Sequence, residues 1–398
     1  MIAQDYLLTP PDWSQQVKVR RMWRTAVQRS VDGGCSRQGL YSVPHLSMAY
    51  RISTISAAET DYIRRRLYAS LHQIVGCPLW PDRSDLTAGV SEGHAALSLD
   101  TTLRHFEVGA PVILFKSADD YALGVILSLT DDEIILEDDL ESDWPAGTTV
   151  YPLLQGRLTI SSSRVASDTD AHGWIDVDIV EEFDADITHR AETFSGDTYR
   201  DLPVMGIAPD WSTPPEQSHD RPATRSDGLW AAYEDPLYDE PTLTAVMAWS
   251  AFSRADILEL AAFFDEIQGG LNAFWVPTWQ SDIRLDAGFA ADSTVLSIDG
   301  GLPDEWQGND VIGLHAAIIY PDGTIVCRGI ADAGASSITL SAAPGKALAT
   351  ADLPCAMISF LLLVRSAADT LELAYDAEEA AGASMTMETL QAQAISAT

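Results

Sequence analysis

Apolar positions in this chain fall into two helical stretches, set among many short runs that alternate or break every few residues. From Ser56 the residues Ile63, Leu67, Leu71 and Ile74 recur at helical spacing, and from Ser253 so do Ile257, Leu260, Ala261, Phe264 and Ile267. Both stretches open on a capping residue with a carboxylate three places on, Ser56 with Glu59 and Ser253 with Asp256. That spacing predicts a helix start. Each helix is expected to bury one face. Gly76 and the pair Gly269-Gly270 follow as expected helix ends, because glycine enters positive φ at little cost. Extended aromatic segments come next, Leu79-Trp80-Pro81 and Phe274-Trp275-Val276-Pro277, then Ser84-Asp85 and Ser281-Asp282.

The stretch after each helix reads as β structure, in short apolar or alternating runs broken by turn residues. The expected strands are 95–99, 111–115, 123–129, 133–136 and 148–154 after the first helix. After the second they are 295–298, 311–319, 324–330, 337–340 and 356–364. Asp119-Asp120 and Pro321-Asp322-Gly323 stand at equivalent hairpin tips. Short strands with frequent turns indicate sandwich or barrel packing and not parallel α/β units.

The parallel order of elements is matched in the residues themselves. Pro11-Asp12-Trp13-Ser14 returns as Pro209-Asp210-Trp211-Ser212. At nearly the same offset Met48-Ala49-Tyr50 matches Met247-Ala248-Trp249, Ala88-Gly89 matches Ala287-Gly288, and Leu97-Ser98-Leu99-Asp100 matches Leu296-Ser297-Ile298-Asp299. Gly109 then answers Gly308, and Arg164 with Asp168-Thr169 answers Arg365 with Asp369-Thr370. Ordered matches at one offset are the mark of an internal repeat. The expected fold is mainly β with α (α+β), a tandem duplication of a β-sandwich or barrel module, each with one flanking helix. The expected division is a first β-rich module with an N-terminal arm over residues 1–183, an extended acidic linker over 184–225, and a second β-rich module over 226–398. Within the linker, Asp210-Trp211-Ser212-Thr213-Pro214-Pro215 should be extended, and the segment is expected to wrap a neighbour.

Composition agrees with two folded modules. The chain has 398 residues, 46% apolar and 21% charged, which is globular usage. Against 24 Lys and Arg stand 59 Asp and Glu, a formal net charge of −35. Duplex nucleic acid as a tightly bound partner is disfavoured, since phosphate binding needs clustered cations. The compact basic groups are 18–24 and 64–66. Residues 1–13 show no cationic region followed by an apolar core, and the longest apolar run, 357–364, is strand-sized. The expectation is a protein made and folded in the cytosol, with no membrane span. Cys35, Cys77, Cys327 and Cys355 lack C-x-x-C spacing, so reduced core thiols are expected and not a zinc site or disulfide framework, the alternative being a shared metal or iron–sulfur site where distant cysteines converge in space.

No phosphate-binding glycine loop, H-E-x-x-H or G-x-S-x-G motif occurs. His94, His105, His172 and His189 each lack a second histidine at ligand spacing, and are expected as structural or surface residues. Carboxylates cluster at Asp131-Asp132-Glu133, at Glu137-Asp138-Asp139 with Glu141 and Asp143, and at Glu181-Glu182. Such runs beside hairpins more often guard strand edges than face each other across a glycosidase cleft. No catalytic, cofactor-binding or metal-binding residue is assigned, and no cofactor is expected. Of the eleven tryptophans, Trp80, Trp249, Trp275 and Trp306 fall where core packing explains them. Trp13 and Trp211 are expected as anchors that plug into a neighbouring subunit.

At Ala261-Ala262-Phe263-Phe264-Asp265-Glu266-Ile267-Gln268-Gly269-Gly270, then Phe274-Trp275-Val276-Pro277 and Asp282, the chain resembles distal tail and minor tail proteins of long-tailed bacteriophages. In those proteins a helix ending in an aromatic pair precedes a glycine, an aromatic strand and an Asp. Leu363-Val364-Arg365, Asp369-Thr370-Leu371-Glu372-Leu373 and residues 385–390 also look like their final strands. The likeness covers roughly 248–390 and carries no catalytic signature. The longer first helix and the shorter Cys77-Pro78-Leu79-Trp80 strand depart from it. Some minor tail proteins hold a cysteine-bound iron–sulfur cluster, a property that the cysteines here do not match.

The resemblance implies a non-enzymatic virion protein of the tail tip, made in the host cytoplasm, forming a ring between tail tube and hub. Its implied partners are copies of itself, with a homotrimer as first choice and a hexamer as alternative, and the tail tube, hub and tape measure proteins. DNA would pass only transiently through the lumen, where carboxylates such as residues 131–133 would repel it. The rival reading is a carbohydrate-binding β module using exposed tryptophan, and a wall-degrading enzyme is the second rival.

Overall fold

A computed structural model describes residues 5–29, 35–159, 164–167, 173–182, 192–220, 223–227, 232–236, 242–299 and 314–390. The chain opens with β1 (Asp5–Tyr6), β2 (Val17–Met22), β3 (Thr25–Arg29), β4 (Cys35–Gly39) and β5 (His45–Thr54), then helix α1 (Ala57–Ala69). After it come β6 (Ile74–Pro78), β7 (Ser84–Asp85), β8 (Ala96–Ser98), β9 (Pro111–Ser117), β10 (Asp120–Leu129), β11 (Glu133–Leu136), β12 (Thr149–Leu158), β13 (Arg164–Ser167) and β14 (Gly173–Glu181). Short strands cross the middle: β15 (Thr198–Tyr199), β16 (Leu202–Pro203), β17 (Glu216–Asp220), β18 (Ala223–Asp227) and β19 (Ala232–Pro236). The second half has β20 (Thr242–Ala251), helix α2 (Arg254–Ile267), β21 (Phe274–Pro277), β22 (Val295–Ser297), β23 (His315–Ile319), β24 (Ile325–Ala333) and β25 (Ser337–Leu340). It ends with β26 (Met357–Ser366), β27 (Thr370–Ala377) and β28 (Ala380–Thr389). The protein is mainly β, with these two α-helices among the described residues.

Both halves use the same set of ladders. Strand β5 pairs with β14 as β20 pairs with β28, and β6 pairs with β12 as β21 pairs with β26. The β9–β12, β9–β10, β10–β11 and β8–β11 ladders have counterparts in β23–β26, β23–β24, β24–β25 and β22–β25. Even the register break inside β10–β11, between Ile126 and Ser128, has its counterpart between Ile330 and Asp332. Bridges Leu86 to Leu99 and Val90 to Trp144 correspond to Leu285 to Ile298 and Phe289 to Leu348.

These ladders close each half's short strands into a small barrel: β7, β12, β9, β10, β11 and β8, sealed by the Leu86–Leu99 bridge. Closure leaves no free strand edge. Leu97, Val112, Leu114, Ile126 and Ile134 fill the first barrel, and Leu296, Ala316, Ile318, Ile330 and Ile338 fill the second. The repeated Ala-Gly pair has a physical reason here. A Cβ on Gly89 would press on the Trp144 carbonyl oxygen, and one on Gly288 would collide with that of Leu348.

A third apolar cluster runs through both halves and joins them. Eight strands form one antiparallel sheet in the order β13, β14, β5, β2, β27, β28, β20, β17. Strand β2 sits at its middle, with Val19 opposite Met48 on one side and Leu373 on the other. Val17, Val19 and Arg21 are buried while Lys18, Arg20 and Met22 are half-buried, the period-two pattern of a strand with one core face. Helix α1 packs on β5 and β14, and α2 on β20, β27 and β28.

Several expectations change. Helix α1 ends at Ala69, capped by Ser70, and Gly76 lies inside β6 opposite Gln155. Leu71 and Ile74 therefore follow the helix, although Leu71 still packs on the core. The second helix does end at its glycines, with Gln268 and Gly269 both left-handed. Helix α2 buries more than one face, since Arg254, Ala261, Ala262, Phe263, Phe264 and Asp265 are all buried. Leu79-Trp80-Pro81 is not a plain extended run: Trp80–Asp82 forms one 3-10 turn. The described part of 184–225 wraps its own chain. Val204 and Met205 are buried, the Met205 N–H donates to the Trp275 carbonyl at 2.8 Å, and Phe194 stacks edge-on against Phe263. No described helix is long and apolar enough to cross a membrane.

Phe264 is wholly buried against this shared core. Phe264→Ala is expected to lower the unfolding free energy by about 3–5 kcal/mol in denaturant titration, as for other buried phenylalanines. A loss below about 1 kcal/mol would mean that the α2 face is not packed as described.

Candidate functional site

The feature that charge and burial single out is the junction between the halves. It is built from β2, the Trp80–Asp82 turn, the loop before β9 and the two ends of α2. Because β2 alternates, its adjacent arginines point to opposite faces. Arg20 reaches out to Asp178 of β14 at 3.3 Å and to Glu372 of β27 at 2.8 Å, and Lys18 joins Glu372 at 2.6 Å. One cation on the middle strand thus holds a carboxylate from each half. These pairs are partly exposed and individually worth little, but they engage Lys18 and Arg20 within the fold, while Arg24 stays exposed.

On the other face Arg21 is buried. Its Nε and Nη2 donate to both oxygens of Asp265 on α2, at 2.6 to 2.9 Å. The Trp23 indole N–H donates to the same carboxylate at 3.1 Å and the Glu192 backbone N–H at 2.9 Å. Asp265 is therefore fully hydrogen-bonded, the condition for a buried pair to persist. Arg21 Nη1 lies 3.0 Å from His105 Nε2, while His105 Nδ1 contacts Asp82. Asp82 in turn pairs with Arg254, whose guanidinium also donates to the carbonyls of Pro81 at 3.0 Å, Leu103 at 2.8 Å and Glu378 at 3.3 Å.

Burial by itself would push the Asp82 carboxyl up, but the charges of His105 and Arg254 outweigh it and hold the group below the ordinary carboxylate range. For His105, burial disfavours the charged ring, the Asp82 carboxylate overcomes this and raises the pKa, and Arg21 opposes the rise. The geometry adds that a guanidinium donor beside Nε2 needs that nitrogen to accept. The neutral ring with its proton on Nδ1 satisfies both neighbours; once protonated, the ring adds its charge beside Asp82, and Arg21 Nη1 must let go. In this arrangement His105 offers no free ring nitrogen to a substrate. The open pocket beside it, about 40 Å³ between Leu79, Glu107, Pro152 and Glu181, has room for only a few waters. The charged groups of the junction fasten the two halves to each other.

A second fastening lies along the same seam. Asp369, before β27, accepts from the Thr25 N–H at 2.7 Å, the Thr25 hydroxyl at 3.0 Å and the Gly270 N–H at 2.9 Å. The Trp23 N–H donates to its carbonyl at 2.8 Å. Gly269 is left-handed and an added Cβ would press on Asp369, so the end of α2 must be glycine.

The residues singled out from sequence fall apart in space. Asp12 and Asp210 form matching turns, each side chain accepting from the N–H two residues on, and their own N–H groups dock on strands, at the Arg51 and Ala248 carbonyls. Trp13, however, packs on the chain's own core, while Trp211 is 54% exposed. Trp80, Trp249 and Trp275 are core residues; Trp306, His172 and His189 lie outside the described residues. His94 is exposed. Cys77 and Cys327 are buried, and burial pushes both thiols up to about 12. Cys35 and Cys355 are exposed, not core thiols as expected. Asp131, Asp132 and residues 137–139, 141 and 143 lie on exposed loops of the first barrel. Asp282 caps β26 by accepting from the Phe360 N–H at 2.8 Å. A surface cleft of about 410 Å³ lies in the second half between Arg284, Asp299 and Leu353, and none of its described lining residues is aromatic.

Sequence reasoning passed over Asp82, Arg254 and Arg21 because no short motif joins them. The available signal was a pair of charged residues, Arg254 and Asp265, on the apolar side of a helix. A scan against protein-family models finds no match, and a search of curated proteins finds none either.

Asp265→Ala is expected to cost about 3–5 kcal/mol, because it strands the Arg21 charge in the core; urea unfolding at pH 7 measures it. Asp82 gives a pH test. Its lowered pKa contributes stability that is whole above the ordinary value of 3.8 and is lost as pH falls below it. Asp82→Asn should therefore be less stable at pH 7 and show a flatter decline in acid than the unaltered protein.

Proposed function

We propose that this chain is a structural, non-enzymatic subunit of a bacteriophage tail tip. In this reading it is a tandem duplication that forms a ring between the tail tube and the hub or receptor-binding parts. The observation that carries the proposal is the ladder-for-ladder likeness of the two halves together with their fusion through β2. A chain with two like modules suits a ring, since a homotrimer presents six similar units at an interface with sixfold or threefold symmetry. The module limits proposed are 1–183 and 226–398 with a linker between, and the proposed place is the virion. The resemblance at residues 261–282 supplies the tail assignment. The junction supports a mechanical role, because its charged groups are saturated by one another.

A net charge of −35 fits a channel wall past which DNA slides, as like charge repels phosphate. The rival reading as a carbohydrate-binding module needs an exposed aromatic platform. Among the described tryptophans Trp211 alone is exposed, with Trp13 and Trp174 half-buried and the rest buried.

Mass photometry of the purified protein should give a trimer, with a hexamer as the alternative closure, and electron microscopy an open ring with an acidic inner wall. A species that stays monomeric at all concentrations, or a ring with a net basic wall, overturns the proposal.

A further inference from the structure

Helices α1 and α2 hold corresponding places but live in different surroundings. Each follows the strand that pairs with the last strand of its half, and each starts at a Ser whose side chain accepts from the N–H three residues on. At equal distance from that cap, Arg254, Ala261, Ala262 and Asp265 of α2 are matched by Ala57, Arg64, Arg65 and Tyr68 of α1. The α2 residues are all buried. Their cover comes in large part from the first half and the arm: Pro81, Asp82 and Leu103 hold Arg254, and Arg21 and Trp23 hold Asp265. The α1 residues are all exposed. Helix α1 thus presents bare the face that its counterpart buries against the neighbouring half.

That bare face has the make-up of a contact surface. Tyr68 on it is 63% exposed, and beside it Tyr62 and Ile55, at positions that are open in α2 as well, are 63% and 81% exposed. Arginine and tyrosine are the residues most enriched where protein surfaces bind tightly. Asp61 pairs with both Arg64 and Arg65, so the trio keeps one positive charge on a chain whose net charge is −35. An acidic protein surface is therefore its natural complement, and the second half of this chain offers two exposed carboxylates, Asp286 and Asp299, near Arg284.

We infer that the outer face of α1 docks on the second half of another copy of this chain. The contact repeats between chains what α2 and the first half make within one. It is a heterologous, head-to-tail contact, the kind that closes into a ring when its rotation divides the circle. The inference rests on the ring reading and adds which surface closes it.

The test is the double variant Arg65→Glu with Tyr68→Glu, beside a photo-crosslinking amino acid placed at Tyr62, in the full chain. Both altered residues are exposed, so the circular dichroism spectrum and melting midpoint should stay unchanged. Sedimentation velocity should show the self-association constant weakened at least tenfold. Crosslinks between isotope-labelled and unlabelled copies should map to the second half. If the unaltered protein assembles and the variant assembles equally well, the α1 assignment fails while the ring reading stands. Crosslinks confined to the first half of another copy also overturn it. An unaltered protein that never associates overturns both.

Discussion

The arrangement depends on one strand of the N-terminal arm that serves both halves. β2 lies between β5 and β27 and gives each of them an antiparallel partner. Without it two long inner strands would each become an open edge, with unpaired backbone groups beside a hydrophobic face. Its register is locked from both sides. Arg20 is held outside by Asp178 and Glu372, and Arg21 inside by Asp265 and His105. A slip of one residue would turn Arg20 and Lys18 into the core and lift Val19 out of it, so no neighbouring register competes. The buried charges cost desolvation and are poor evidence of stability by themselves. Their effect is to specify one way of joining the halves.

That device explains what the sequence disclosed and what it hid. The barrels were legible because their strands are short, apolar and punctuated by turns, and 133–136 and 337–340 match β11 and β25 residue for residue. Both helix starts were legible because the cap and the carboxylate are local. Strand β2 was not, since four of its six residues are cationic or sulfur-bearing and its apolar face rests on Val17 and Val19 alone. In the sequence the stretch is only a compact basic group. Only the distant carboxylates Asp178, Asp265 and Glu372 turn it into a stitch, and nothing local announces partners that far along the chain. The end of α1 was misjudged for the opposite reason: Gly76 carries a strong local signal, but Ser70 had already capped the helix and left Gly76 to β6.

Likeness between the halves matters most where it breaks. The barrels keep their ladders, bulges and bridges. The helices diverge: Ala-Ala-Phe at 261–263 stands where α1 has three arginines. An alanine pair lets covering segments approach closely, and Phe263 meets Phe194 from the segment that crosses it. Three arginines at the same places cannot be covered by an apolar segment without stranding charge. Arg66 is already turned inward to Asp5 and the Tyr6 carbonyl, at 2.9 and 2.7 Å, which leaves Arg64 and Arg65 at the surface.

The distribution of charge follows from the same division of labour. Of the two basic groups, the one at 18–24 gives Lys18, Arg20 and Arg21 to the junction and the one at 64–66 sits on α1. The first barrel's loops meanwhile carry Asp131, Asp132, residues 137–139, Glu141 and Asp143 exposed. Like charges on neighbouring loops repel, and at physiological ionic strength the repulsion reaches about 8 Å, so two such barrels avoid packing through these loops. The uncovered α1 face, by contrast, carries Arg64 and Arg65 exposed. Carboxylates that do not touch a partner still decide which partners and which orientations are excluded.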